Sequence, residues 1–164
     1  MKKFLPPIAF LILVGLFLGW WFLPANVVKR RASNLFDTAQ VPATMGELAR
    51  SSRGPKVAEY LSEYIAIGAP EHVDGRLRES YHRDDLAGIY SAVARGCRRI
   101  SLEQPEFESV QIDGTTAKVR LRIDAIAELP SRRPVDGIQI MDMVWEKPEN
   151  QWKLSSITWT ETHR

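Results

Sequence analysis

Cysteine is almost missing: the 164 residues hold one, Cys97. One thiol cannot close a disulfide within the chain and cannot furnish a Cys-based zinc site. Cys97 stands in Ala94-Arg95-Gly96-Cys97-Arg98-Arg99, where neighbouring arginines could lower a thiol pKa. The plainer expectation is a half-buried cysteine at a helix end, because free cysteine mostly behaves as a small apolar residue. A phosphate loop, a nucleophile elbow and an HExxH motif are also missing. His72, His82 and His163 show no metal-ligand spacing. An Asp/His ion site is conceivable in Tyr81-His82-Arg83-Asp84-Asp85, but a polar helix cap is expected there. The sequence therefore indicates no catalytic residue, no metal and no cofactor, and it has no internal repeat or low-complexity run.

An excess of one charge is missing too. The formal net charge of +2 comes from Lys2 and Lys3; from Lys29 onward 20 basic residues face 20 acidic ones. Past the cluster Lys29, Arg30 and Arg31 the balance turns slightly acidic. A nucleic-acid partner needs a net positive face to neutralise phosphates, so none is expected.

The longest uncharged stretch runs from Lys3 to Lys29 and contains FLPPIAFLILVGLFLGWWFLP. About 20 apolar residues at a rise of ~1.5 Å span the ~30 Å hydrocarbon core. Pro6 and Pro7 suit a first helical turn, where the missing N–H is not needed. Trp20 and Trp21 fall where indoles prefer the interface. A cleaved signal peptide would carry a shorter apolar core of about 7–15 residues and a small-x-small site. Here only Ala25 is small near the end. No cysteine follows to take a lipid. Residues 1–28 are expected to be a transmembrane signal-anchor and residues 29–164 a soluble domain. The basic residues on the two sides nearly balance. A short leading tail before a large domain favours tail-in, domain-out, which for a bacterium means an inner-membrane protein with an extracytoplasmic domain.

The soluble part divides into a helical half and a β half. Apolar spacing predicts a helix over 26–39, a short helix around 45–51, and a second helix over 55–64 with Val57, Tyr60, Leu61 and Tyr64 as its apolar stripe. A short hairpin is expected over 65–78. A third helix opens at Arg83-Asp84-Asp85, whose acidic residues suit an N-terminus. Its expected buried face is Leu86, Ile89, Tyr90, Val93 and Ala94, with Gly96 at its end. Four strands follow: 100–112, interrupted by Pro105; 116–129, after the turn signal Asp113-Gly114; 136–147; and 151–162. In the second, Ala117, Val119, Leu121, Ile123 and Ala125 alternate with Lys118, Arg120, Arg122 and Asp124, as in a half-solvated antiparallel strand. Helices followed by long antiparallel strands argue for an α+β fold.

Three passages carry a resemblance to a known superfamily: IAIGAPEHVDGRLRESYHRDDLAGIYSAVARG, FESVQIDGTTAKVRLRIDAIAEL and IQIMDMVWEKPENQWKLSSITWTE. Their order of helices, short hairpin, helix and long meander resembles the nuclear transport factor 2-like superfamily. The resemblance implies a cystatin-like α+β cone of about three helices on a curved, mainly antiparallel sheet. It also implies a pocket between the concave face and the helices that would take an apolar small molecule, and a homodimer through the sheet. It does not settle function.

The pocket candidates are Asp142, Tyr60 and Tyr64. Asp142 shares a face with Ile138, Ile140 and Val144. If that face is concave, its carboxylate sits in an apolar pocket, fit for acid–base work. If Met141, Met143 and Trp145 line the pocket instead, Asp142 faces outward toward Arg120 or Arg122. Tyr60, Tyr64, Tyr81 and Tyr90 could aim hydroxyls into a cavity, although tyrosine at this spacing is usually core packing with a wet tip. Trp145, Trp152 and Trp159 could anchor a partner or pack in the core. The expectation is a membrane-tethered, non-enzymatic ligand-binding or assembly module. The alternatives are a small-molecule isomerase, dehydratase or hydrolase with a pocket carboxylate, and a subunit of an envelope secretion or transport complex.

Overall fold

The computed structural model describes residues 13–15, 17, 19–68, 80–130 and 134–162. Its elements in chain order are α1 (Pro24–Ala39), α2 (Glu47–Ser51), α3 (Arg53–Ala58), β1 (Leu61–Gly68), β2 (Ser80–His82), α4 (Arg83–Gly96), β3 (Arg99–Leu102), β4 (Glu106–Asp113), β5 (Thr116–Glu128), β6 (Val135–Glu146) and β7 (Lys153–Thr162). Half of the expected anchor over residues 1–28 lies outside the described residues. Among those described, no helix is long and apolar enough to cross a membrane.

One mixed sheet runs in the order β2-β1-β7-β6-β5-β3, with β4 also paired to β5. All pairs are antiparallel except β1 with β7. β5 is long enough to serve two partners along one edge. Its first half pairs β4 and its last four residues pair β3. The chain steps between them at Glu103-Gln104-Pro105, where proline removes a ladder donor. Gly114, at φ +55, makes the β4–β5 turn.

The alternation expected of β5 is present. Ala117, Val119, Leu121 and Ile123 are buried and lie in register with Trp145, Met143, Met141 and Gln139 of β6. Against this face packs α1 through Val28, Ala32, Leu35 and Phe36. Leaving water stabilises by about 1.5–3 kcal/mol for each large apolar side chain. Val28 is fully buried, so the packed domain begins inside the segment expected to be anchor. A smaller cluster of Val41, Ala94 and Cys97 closes the β3 side. Arg50 staples it by donating to the carbonyls of Met45, Ala43, Arg98 and Cys97.

Two expectations need correction. The helix expected over 55–64 ends at Ala58, and Leu61–Gly68 is a strand. Only Leu61 of the expected stripe stays buried on this strand; with Ile65 and Ile67 it follows period two, while Tyr64 is exposed. The ladder to β7 supplies backbone partners that a lone helical turn lacks. On α4 the buried side is not the one with the largest residues. Ala87 and Ala94 are buried, whereas Ile89 and Val93 are exposed. Gly54 of α3 lies directly against Ala87 and Ser91, so α4 turns its small residues inward to let the helices approach. Of the expected hairpin, β1 pairs with β2 through Tyr64↔His82, Ile65↔Tyr81 and Ala66↔Ser80. The arm expected at 76–78 lies outside the described residues.

Candidate functional site

The inner face of the sheet is not covered along its whole length. Toward Trp145 it is filled by α1 and the buried aromatics. Toward the other end of β5 and β6 it stays open as a recess of about 270 Å³, just under the ~300–1,000 Å³ usual for ligand sites. Leu102, Ala125, Met141 and Trp159 line it, with Gln139 and Glu161 as polar groups. The register explains the convergence. Leu102 pairs Ala125, Met141 pairs both Leu121 and Trp159, and Gln139 pairs both Ile123 and Glu161. All point to the concave side. Gln139 is the one buried polar residue among the described core. Glu161 lies over Gly137, where a β-carbon would come within 3.2 Å of its carboxylate oxygen.

None of the three pocket candidates lines this recess. Asp142 stands on the outer face, because Gln139, Met143 and Trp145 of β6 are buried on the opposite one. There its carboxylate meets Arg120 Nη1 at 3.4 Å, and Arg120 Nε reaches Glu108 at 3.1 Å. All three side chains are about half exposed, and such ion pairs contribute about 0–1 kcal/mol. Asp142→Asn is therefore expected to shift the unfolding midpoint in denaturant hardly at all; a loss above about 1 kcal/mol would contradict this placement. Tyr60 sits at the far end, with Arg31 stacked 4.5 Å over its ring and Thr38 Oγ1 3.5 Å from its hydroxyl. Tyr64 is largely exposed and meets His82 edge-on at 5.4 Å.

The remaining candidates have structural positions. His82 caps α4, its Nδ1 accepting from Asp84 N at 3.3 Å. His72 and His163 lie outside the described residues. Trp145 and Trp152 are buried in the core. Cys97 is buried more fully than expected and its Sγ donates to Ala94 O at 3.4 Å. Burial pushes its thiol pKa up, and Arg50 offsets only part of this. It is not poised as a nucleophile.

Tyr90 ties α4 to α1 by donating its hydroxyl to Ala39 O. Burial, reinforced by Cys97 and opposed by Arg53, pushes its pKa up to about 12. A phenol with a raised folded pKa stabilises fully below its unfolded value of about 10, and loses that contribution as pH rises from about 10 through 12. The loss is on the order of 2 kcal/mol. Unfolding titrations across this window should show a fall in stability that Tyr90→Phe flattens; an equally steep fall in the variant would contradict the assignment.

No family model matches the sequence, and no curated protein matches it. Solved structures do. A Kribbella flavida protein aligns over 84% of this chain and 89% of its own, with TM-score 0.66 and 15% identity. A Streptomyces avermitilis protein, a proposed dehydratase of the nuclear transport factor 2-like family, aligns over 85% and 96%, with TM-score 0.60 and 11% identity. A Novosphingobium aromaticivorans protein, described as nuclear transport factor 2-like with a cystatin-like fold, aligns over 97% and 90%, with TM-score 0.55 and 12% identity. The chain has the nuclear transport factor 2-like fold. At these identities the likeness is one of fold, and activity has to be argued from the site. Within this nuclear transport factor 2-like cone, α1, Trp145 and Trp152 fill one end of the concave face and leave the other, where Trp159 stands, open as a mouth. The sequence reading missed Gln139 and Glu161. Its available signal was a polar residue on the same face as Met141, Met143 and Trp145.

Proposed function

We propose that this protein is a membrane-tethered binding module whose cone mouth takes a small apolar ligand. The carrying observation is the open recess itself, lined by Leu102, Ala125, Met141 and Trp159 with only two polar groups to orient a guest. Several features support the tether. The stretch between Lys3 and Lys29 is uncharged. Phe17, Trp20 and Phe22 are more than half exposed, and Arg30 stacks 4.0 Å over the Trp21 ring. That combination suits an interfacial belt. The proposed setting is a bacterial inner membrane with the domain on the extracytoplasmic side. Ile138, Ile140 and Val144 on the outer sheet face offer a surface for a second copy.

The test is titration of the full chain, held in a neutral detergent, with the uncharged apolar fluorophore N-phenyl-1-naphthylamine. Saturable binding is expected, weakened about tenfold by Trp159→Ala, since losing a large aromatic contact forfeits roughly 1.5–3 kcal/mol. Binding indifferent to both Trp159→Ala and Met141→Ala would sink the reading.

Glu161 favours a second reading. A carboxylate beside Gln139 in an apolar mouth could serve a dehydratase, isomerase or hydrolase, and one structural neighbour is a proposed dehydratase. Under this reading Glu161→Gln abolishes turnover of a screened substrate while leaving fluorophore binding intact.

A further inference from the structure

Three cations that are far apart in sequence meet in one recess. Arg31 of α1, Arg83 at the start of α4 and Lys153 at the start of β7 line a hollow of about 450 Å³, with Pro55 and Ala58 on its wall. None of these residues borders the apolar mouth. Two of the cations are fixed in place by carbonyls. Arg31 donates to Trp152 O at 3.3 Å and to Glu59 O at 3.2 Å, and Lys153 Nζ donates to the same Glu59 carbonyl at 2.5 Å. Carbonyl dipoles orient a cation without cancelling its charge. Among the described residues, neither Arg31 nor Lys153 has a carboxylate at ion-pair distance, and Arg83 pairs only with the exposed Asp84, at 3.6 Å. The one carboxylate lining the hollow is that of Glu59. Arg83 and Lys153 also border the adjoining hollow, where Glu63, Glu146 and Glu149 stand, but none of these three carboxylates reaches ion-pair distance of either cation.

Such a cluster of like charges carries a cost. Burial, followed by repulsion from Arg31 and Arg83, holds the Lys153 ammonium below the usual lysine range, with Glu59 and Glu149 offsetting part of this. A lysine with a depressed folded pKa destabilises the fold while it stays charged, that is, at neutral pH and below. An anion seated among the three charges reverses that cost. We infer that this recess binds a phosphate-bearing anion, its oxygens bridging Arg31, Arg83 and Lys153. Guanidinium forks match phosphate oxygens in pairs, and the ammonium adds a point charge. Two sources carry this chemistry: free phosphate and a phospholipid headgroup. Arg31 lies about 10 Å of helix rise past Pro24, at the depth of a headgroup if the proposed anchor is inserted. Only the headgroup source depends on that anchor.

The experiment follows thermal unfolding of the full chain in a neutral detergent. One arm titrates inorganic phosphate against chloride at matched ionic strength. The other adds dioctanoyl phosphatidylglycerol to the micelles against dioctanoyl phosphatidylcholine. A saturable rise in midpoint is expected in at least one arm. A rise with phosphate supports the site and assigns it a soluble ligand; a rise with phosphatidylglycerol alone supports it and assigns a headgroup. Arg83→Gln, which removes a cation from a helix N-terminus and leaves the fold unharmed, should raise the half-saturating concentration about tenfold. Lys153→Met should do the same. No rise in either arm, or a rise unchanged in both variants, would overturn the inference.

Discussion

Gly54→Ala is expected to destabilise the domain by about 3 kcal/mol or more. In a helix this substitution ordinarily stabilises by roughly 0.5–1 kcal/mol, through lower entropy in the unfolded chain, so the expected sign is reversed. The reason is contact. A β-carbon at position 54 would overlap the backbone carbonyl of Ala87 and the Ser91 hydroxyl. Ser91 also donates to Ser51 O at 2.9 Å. A flexible side chain could yield, but a helix carbonyl cannot move without α4. Separating α3 from α4 would pull Ala94 and Tyr90 away from their partners. Gly88→Ala on α4, where nothing lies within 4 Å of the added carbon, is the control and should gain about 0.5 kcal/mol. Denaturant unfolding of both variants checks the pair; a neutral Gly54→Ala would mean that the helices are not so close.

Trp145→Ala is expected to cost about 3–5 kcal/mol, the range for emptying a buried aromatic site. Trp145 is fully buried among Ala117, Met143 and Leu154, in the cluster that fills the narrow end of the cone. Its indole N–H has no hydrogen-bond partner among the described residues. A buried unmade hydrogen bond costs about 1–3 kcal/mol. Trp145→Phe keeps most of the ring volume and removes that donor, so it should cost less than half as much as Trp145→Ala. Equal losses in the two variants would show that the nitrogen, and not the ring, carries the stability.

Much of the fold could be read from local pattern, and what was missed was non-local. β5 and β6 alternate because one face is buried along their length, and that period is visible in any window. The strand Leu61–Gly68 was hidden because positions 57, 60, 61 and 64 fit a helical stripe, while the partner that makes it a strand is β7, at Leu61↔Leu154. The α4 face was misassigned because Ile89 and Val93 are its larger apolar residues. Close approach at Gly54 outweighed their burial. The site was ambiguous for a related reason. Both faces of β6 carry apolar residues, Ile138, Ile140 and Val144 on one and Met141, Met143 and Trp145 on the other. Only the docking of α1 decides which is concave. Once it does, Asp142 leaves the cavity, and Gln139 enters it together with Glu161 of β7.

Methionine methyl NMR on the full chain in lipid nanodiscs tests the central claim most directly. Met141 lines the mouth, Met143 lies in the core and Met45 packs beside the Val41 cluster. On addition of N-phenyl-1-naphthylamine, the Met141 methyl signal should shift saturably while that of Met45 stays fixed, and Trp159→Ala should weaken the response. A Met141 signal that does not move while the probe partitions into the lipid would contradict a ligand site in the mouth of the cone.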